Sequence, residues 1–310
     1  MSVNRKNARQ SLRIPKPILV TAKILEVTST KMAAKFAMKI FTTPIKFKLP
    51  KREEEMDIKS RQEMLELPSL KKSINVYHYG NSGPNVLLVH GWSGRGTQLH
   101  SIADKLLKSS YSTISFDAPA HGKSTGKTSD MTEFITSILE LQKHYGPFEY
   151  AIGHSLGAMS VLNAVKRGLK IKKAVCIGSG DVIEDIMNDF TQQLGMNIAT
   201  GKLMIRQFEK KFGETINTYS AYIAAKDISI PVLMFHDEDD DDVPVSAAYH
   251  IYKHLAHAEL VITKGLGHRK ILGDSKVIKK IIQFLSDEKN NDTNGNAIAD
   301  SMPGSGKEKG

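Results

Sequence analysis

A mainly parallel β-sheet wrapped by helices is the fold class this sequence predicts, and three observations predict it. Short apolar runs of strand length alternate with helix-period segments from about Ile74 to Leu285. The residues with chemical potential stand just after those runs, where loops leave the C-terminal edge of such a sheet. A hydrophobic fraction of 40% over 310 residues supports a sizeable core, and a charged fraction of 25% is ordinary, so neither a fibrous nor a disordered chain is indicated.

The elements follow in order. Residues 1–17 are basic and polar, end in Pro15 and Pro17, and are expected to be loosely ordered. Residues 18–60 form an amphipathic helical extension. Within it, Ile18 to Phe41 is helix-compatible, with Met32, Phe36 and Ile40 on one stripe, Ala33, Ala37 and Phe41 on the next, and Lys31, Lys35 and Lys39 on a flank. Lys23, Glu26 and Lys31 interrupt it, so neither a membrane span nor a secretory leader is expected. A charged link, Lys51 to Lys59, leads into the core.

The first part of that core is placed at 61–180, with strands at Ile74 to Tyr79, Val86 to His90, Ser112 to Asp117, Tyr150 to Gly153 and Ala174 to Gly178. Helices are expected at Gln98 to Lys108, Met131 to Tyr145 and Leu156 to Arg167. Residues 181–230 break the alternation. There Ile183, Ile186, Phe190 and Leu194 share one helical face and Ile205, Phe208 and Phe212 another, which predicts a small helical lid whose apolar faces meet an acyl chain or the core. The second part of the core, 231–287, holds strands Val232 to His236 and Glu259 to Thr263 and helices Val245 to His254 and Ser275 to Asp287. Residues 288–310, rich in Asn, Asp, Gly and Lys, read as a disordered tail.

Net charge narrows the partners. Of the overall +10, residues 1–52 hold 13 Lys or Arg against one acid, Glu26, while the remaining 258 residues carry 30 basic and 32 acidic side chains. The body is therefore close to neutral and has no zinc-ligand cluster or aromatic-basic motif, so nucleic acid is not an expected partner. The lone Cys176 excludes an internal disulfide and suits a reducing, cytoplasmic setting.

Chemistry concentrates in a few short segments. Gly153-His154-Ser155-Leu156-Gly157 follows an apolar strand and opens a helical pattern, the context of a G-x-S-x-G nucleophile elbow. The glycines permit a turn too sharp for side chains at the flanking positions, and the serine at its apex is the candidate nucleophile. A hydroxyl needs a base, and among eleven histidines His268, in Lys264-Gly265-Leu266-Gly267-His268, lies in a loop after the last strand. A carboxylate must then orient the imidazole. Residues 237–242 offer six consecutive acids, and charge alone does not choose among them.

These residues carry a resemblance to the α/β-hydrolase superfamily. The acidic run before Val243-Pro244 is similar to that family's loop, whose acid stands three residues before a Val-Pro pair, and this implies Asp240. Members commonly have Gly where this chain has Asp237, which keeps Asp239 and Asp241 open, and a variant with the acid after the preceding strand would use Asp181. His90-Gly91-Trp92 resembles the family's His-Gly turn, implying an oxyanion hole built from the amides of Trp92 and Leu156. Asp117-Ala118-Pro119-Ala120-His121-Gly122-Lys123-Ser124 resembles its D-x-P-G-x-G-x-S loop, read as structural, so His121 and Ser124 stay outside the catalytic set. The resemblance spans roughly residues 74–285 in the family order Ser155, Asp240, His268.

It implies the α/β-hydrolase fold and a lipase-like serine esterase acting on a small-molecule acyl ester, with no metal or cofactor. Ser at the nucleophile position argues against dehalogenase and epoxide-hydrolase chemistry. An acyltransferase using the same triad, and a non-catalytic ligand-binding scaffold, are the alternatives. Phe41-Thr42-Thr43-Pro44 with the following basic residues and Pro50 resembles the N-terminal extension of a group of bacterial α/β-hydrolases. That extension either packs on the domain or makes peripheral contact with an anionic membrane through residues 18–41.

Overall fold

The computed structural model describes residues 14–287. The expected disordered tail and residues 1–13 of the loosely ordered start lie outside the described residues. Pro15 and Pro17 do not close off a loose segment, because they open a helix: α1 (Lys16–Thr28) has Pro15 as its cap and Pro17 in its first turn, where a missing N–H costs nothing. The helix-compatible stretch from Ile18 to Phe41 is two helices. Ser29 takes an extended conformation, and its hydroxyl accepts the Met32 amide to cap α2 (Thr30–Phe41). The charged link is itself a helix, α3 (Lys51–Lys59), with Glu53 and Glu54 in its first turn and Lys59 in its last, as the helix dipole favours.

An edge strand unforeseen from the sequence follows. β1 (Arg61–Leu67) pairs antiparallel with β2 (Lys72–Tyr79), and of its seven residues only Leu65 and Leu67 are buried, so it carries almost no apolar signal. Next come β3 (Asn85–Val89), α4 (His100–Lys108), β4 (Ser112–Phe116), α5 (Met131–Tyr145), β5 (Tyr150–His154), α6 (Leu156–Lys166) and β6 (Lys173–Ile177). The insertion holds α7 (Ile183–Gln193), α8 (Ile198–Phe212) and α9 (Ala221–Ala225), and the chain closes with β7 (Val232–Asp237), α10 (Ser246–Tyr252), β8 (Ala258–Thr263), α11 (Gly267–Lys270) and α12 (Ser275–Ser286).

The eight strands form one sheet in the order β1-β2-β4-β3-β5-β6-β7-β8, antiparallel in its first two pairings and parallel in the rest. Pleat alternation feeds two cores. Leu87 and Val89 join a cluster with Phe134 and Ile138 of α5 and Leu162 of α6. Val86 and Leu88 point the other way, toward Ile102 and Leu106 of α4 and Ile278 and Ile281 of α12.

The insertion is part of the first core. Ile183, Met187, Leu194, Met204, Ile205 and Phe208 are buried in the same cluster as Ala33, Ala34 and Ala37 of α2. Its apolar faces therefore hold the insertion to the domain, and α2 packs along α8 while Phe41 meets the Phe190 ring at 5.1 Å. Among the described residues no helix is long and apolar enough to cross a membrane.

Candidate active site

Parallel strands deliver their C-terminal ends to one edge, and the candidate residues stand there. Ser155 is the junction of β5 and α6, with φ 55 and ψ −121, a conformation that L-residues rarely adopt. The turn is held by its neighbours. The Ser155 amide donates to Ile177 O at 2.9 Å. A Cβ on Gly153 would lie 2.6 Å from the backbone of Ala158, and one on Gly157 2.3 Å from Val89 O, so glycine is required at both positions.

His268 and Asp240 meet at the adjoining strand ends. His268 Nδ1 donates to Asp240 Oδ2 at 2.7 Å, and Asp240 Oδ1 accepts the amides of Asp242 and Val243 at 2.9 and 2.8 Å. Burial raises the Asp240 pKa, but the His268 hydrogen bond and charge and the Val243 amide outweigh it, so its net shift is downward and the carboxyl stays ionised. Asp239 instead accepts the Gly265 amide, Asp241 is exposed, and Asp181 pairs with His250, so none of these three faces His268.

Ser155 and the pair are brought together across the end of β6. Ser155 bonds to residue 177, and a Cβ on the next residue, Gly178, would sit 3.2 Å from His268 Nδ1 and 3.5 Å from Asp240 Oδ2. Among the described residues no hydrogen bond yet links the Ser155 hydroxyl to His268. Such bonds are often long in unliganded sites and tighten with substrate.

The His90-Gly91-Trp92 turn lies against the serine: a Cβ on Gly91 would be 3.0 Å from Ser155 Cβ. Gly91 N donates to Gln98 Oε1 and Ser93 N to His121 Nε2. The amide of Trp92, between these two satisfied neighbours, and the amide of Leu156 have no protein acceptor among the described residues. Leu156 opens α6, where first-turn N–H groups lack helix partners and the helix dipole is positive.

Three buried histidines brace this edge. His90 Nε2 accepts the Ala118 amide while Nδ1 donates to Gly91 O. His121 Nδ1 donates to Pro119 O, and His154 Nε2 donates to His268 O at 2.8 Å, fixing the backbone beneath the candidate base. Burial lowers their pKa values, to about 4 for His90 and about 3 for His121 and His154, the latter two also repelled by a neighbouring histidine, so all three are neutral. The loop after β4 is braced by Asp117, which accepts from Gly96 N, Lys123 N and the Tyr77 hydroxyl. Ser124 bridges Asp117 O and Asn75 N.

Sequence reasoning missed the structural roles of two carboxylates it had named. Asp237 is fully buried and accepts from Thr263 Oγ1, Leu266 N and Asp239 N, clasping the loop that presents His268 to the loop that presents Asp240. Its position where glycine is common was the available signal. Asp237→Ala strands these donors, so a loss of about 3 kcal/mol is expected. Thermal melts should show it as a drop of roughly 10 °C in Tm; an unchanged melt would dismiss the clasp. The second is Asp181, which takes the Tyr222 amide and His250 Nδ1 and so ties both ends of the insertion to α10.

A cleft of about 740 Å³ lies beside Trp92, with Phe47, Leu266 and Leu272 on its apolar wall and Arg52, Glu53, Arg269 and Lys270 among its polar lining; Ser155 and His268 are not among its lining residues. Among the described residues no group of His, Cys, Asp and Glu is arranged to hold a metal ion.

Comparison with known proteins addresses the fold. A family model described as alpha/beta hydrolase fold matches residues 84–208, and one described as TAP-like protein matches residues 215–297. No curated protein matches the chain. Among solved structures, an esterase from Exiguobacterium antarcticum is similar with a TM-score of 0.58 and 16% identity, over 73% of this chain and 100% of its own. An esterase from Rhodococcus sp. ECU1013 gives 0.55 and 18%, over 74% and 98%. A thioesterase domain from the curacin biosynthetic pathway gives 0.54 and 17%, over 73% and 98%. At these identities the likeness is one of fold.

Proposed function

The chain belongs to the α/β-hydrolase superfamily, and from that premise we propose that it is a serine hydrolase cleaving a carboxylic ester or related acyl bond through an acyl-enzyme on Ser155. The observation that carries this reading is a serine held at positive φ on a strand-to-helix turn, with an Asp240–His268 hydrogen bond at the neighbouring strand ends. Because Nδ1 of His268 donates to Asp240, Nε2 is the ring nitrogen that takes the Ser155 proton as Oγ attacks the acyl carbon. Ionised Asp240 stabilises the imidazolium, and the amides of Trp92 and Leu156 receive the oxyanion. His268 then protonates the leaving group, and water activated by the same Nε2 releases the acid.

The proposed acyl site is the cleft beside Trp92, because Trp92 follows Gly91, which lies against Ser155, and the cleft has the volume of a small-molecule site. A fluorophosphonate should label Ser155 in the native protein, and absence of label on folded protein would reject the mechanism. With p-nitrophenyl esters of increasing length, kcat/KM is expected to rise from acetate toward hexanoate by up to about fourfold per methylene buried. A flat profile on labelled enzyme would reject the cleft as the acyl site and leave the mechanism standing.

A further inference from the structure

The outer face of α1 is apolar where a helix packed on a domain should be polar. Lys16, Val20, Lys23, Ile24 and Val27 follow at three- and four-residue spacings and share one side of the helix. Val20, Ile24 and Val27 are 58, 59 and 83% exposed, while Ala22 is buried against the domain. Next to this stripe stands the first turn of α8: Glu26 accepts Asn197 N at 2.7 Å and Thr200 Oγ1 at 2.8 Å, and Ile198 between them is 63% exposed. The lysines of α1 and α2, at 16, 23, 31, 35 and 39, are all exposed.

We infer that this face docks the protein on an anionic lipid surface, with Val20, Ile24, Val27 and Ile198 entering the interfacial layer and the lysines meeting acidic headgroups. Charge complementarity selects that occupant. A second copy would bring an identical lysine-rich face against it, and the chain's own residues 1–13, with four Lys or Arg and no acid, would be repelled from it in the same way. Large apolar side chains interleaved with lysines fit an interface that is oily beneath and negative above. The face also has mechanical consequence, because α1 and α2 are packed on the insertion through Glu26, the Phe41–Phe190 contact and the buried alanines of α2. Docking would therefore seat the insertion itself on the surface.

The test is vesicle flotation of the full chain, which needs no catalysis and so succeeds or fails independently of the mechanism above. The probes are phosphatidylcholine vesicles with and without phosphatidylglycerol. Wild type is expected to float with the phosphatidylglycerol-containing vesicles at low salt and to be released by high salt. The V20E/I24E/V27E variant should lose binding more than about tenfold, and Lys16→Gln or Lys23→Gln about fivefold each. Because these side chains are exposed, circular dichroism should be unchanged, and the lysine variants keep the test open if the triple variant misfolds. Equal flotation on neutral vesicles, equal flotation of the triple variant, or no flotation at low salt would overturn the proposal. So would self-association of the wild type, relieved by the triple variant, in the absence of lipid binding.

Discussion

Ser155→Ala is expected to reduce acyl-ester turnover by on the order of 10⁵-fold or more and to abolish fluorophosphonate labelling, with the fold intact. In the proposed mechanism Ser155 and His268 act as a unit, so His268→Ala should cost about as much alone as together with Ser155→Ala. Asp240→Asn should cost about 10⁴-fold, because an amide in that place supports the wrong imidazole tautomer. A Ser155→Ala protein retaining more than about a hundredth of wild-type turnover would mean that another group attacks the substrate. Stability should move in the opposite sense. The φ of 55 and ψ of −121 at Ser155 are retained by alanine but cost glycine almost nothing, so Ser155→Gly is expected to add about 1–2 kcal/mol and raise Tm by several degrees while remaining inactive. A gain in stability on deletion of the Ser155 side chain would mark that residue as strained rather than as a packing element of the core.

Acidification is expected to unfold the protein well above the range where carboxylates titrate. His90, His121 and His154 are neutral in the native state, with pKa values of about 4, 3 and 3 against an ordinary 6.5. The unfolded chain therefore binds protons that the native chain refuses, and the stability these residues contribute, fully present above pH 6.5, is lost as pH falls toward 3 to 4. Each can contribute up to about 1.4 kcal/mol of loss per pH unit, and three together about 4, against a typical total of about 5–15 kcal/mol. Urea midpoints followed by circular dichroism should fall steeply between about pH 6.5 and 5. Asp237 and Asp240, whose pKa values lie below 3.8, add their share only at still lower pH. A midpoint that stays flat to pH 5 would show that the three imidazoles take up protons in the native state as readily as in the unfolded chain.

The sequence by itself determined what depends on near neighbours along the chain. Strand and helix periods placed seven of the eight strands to within about two residues, because an inward face repeats every second or every third to fourth position. The two glycines around Ser155 announced a turn whose flanking side chains would collide with backbone, and the structure finds those collisions at 2.3–2.6 Å. Signals that are weak locally were lost. β1 leaves its polar residues exposed or half-buried at the sheet edge, Ser29 ends one helix and caps the next with a single hydroxyl, and α3 is too charged to look like part of a fold.

Partner choice was decided only in three dimensions. Six consecutive acids carry the same charge, and their roles separate by what approaches them: His268 for Asp240, the Leu266 amide and Thr263 for Asp237, Gly265 for Asp239. Asp181 and His250 are 69 residues apart and meet because the insertion must be tied down at both ends. The same holds for apolar faces, since periodicity says that a helix has an oily side but not what will cover it. The insertion's faces found the core, whereas the outer face of α1 found nothing among the described residues. Hydrogen bonding and burial act over a few ångströms, and which groups come within that distance is set by how the layers pack.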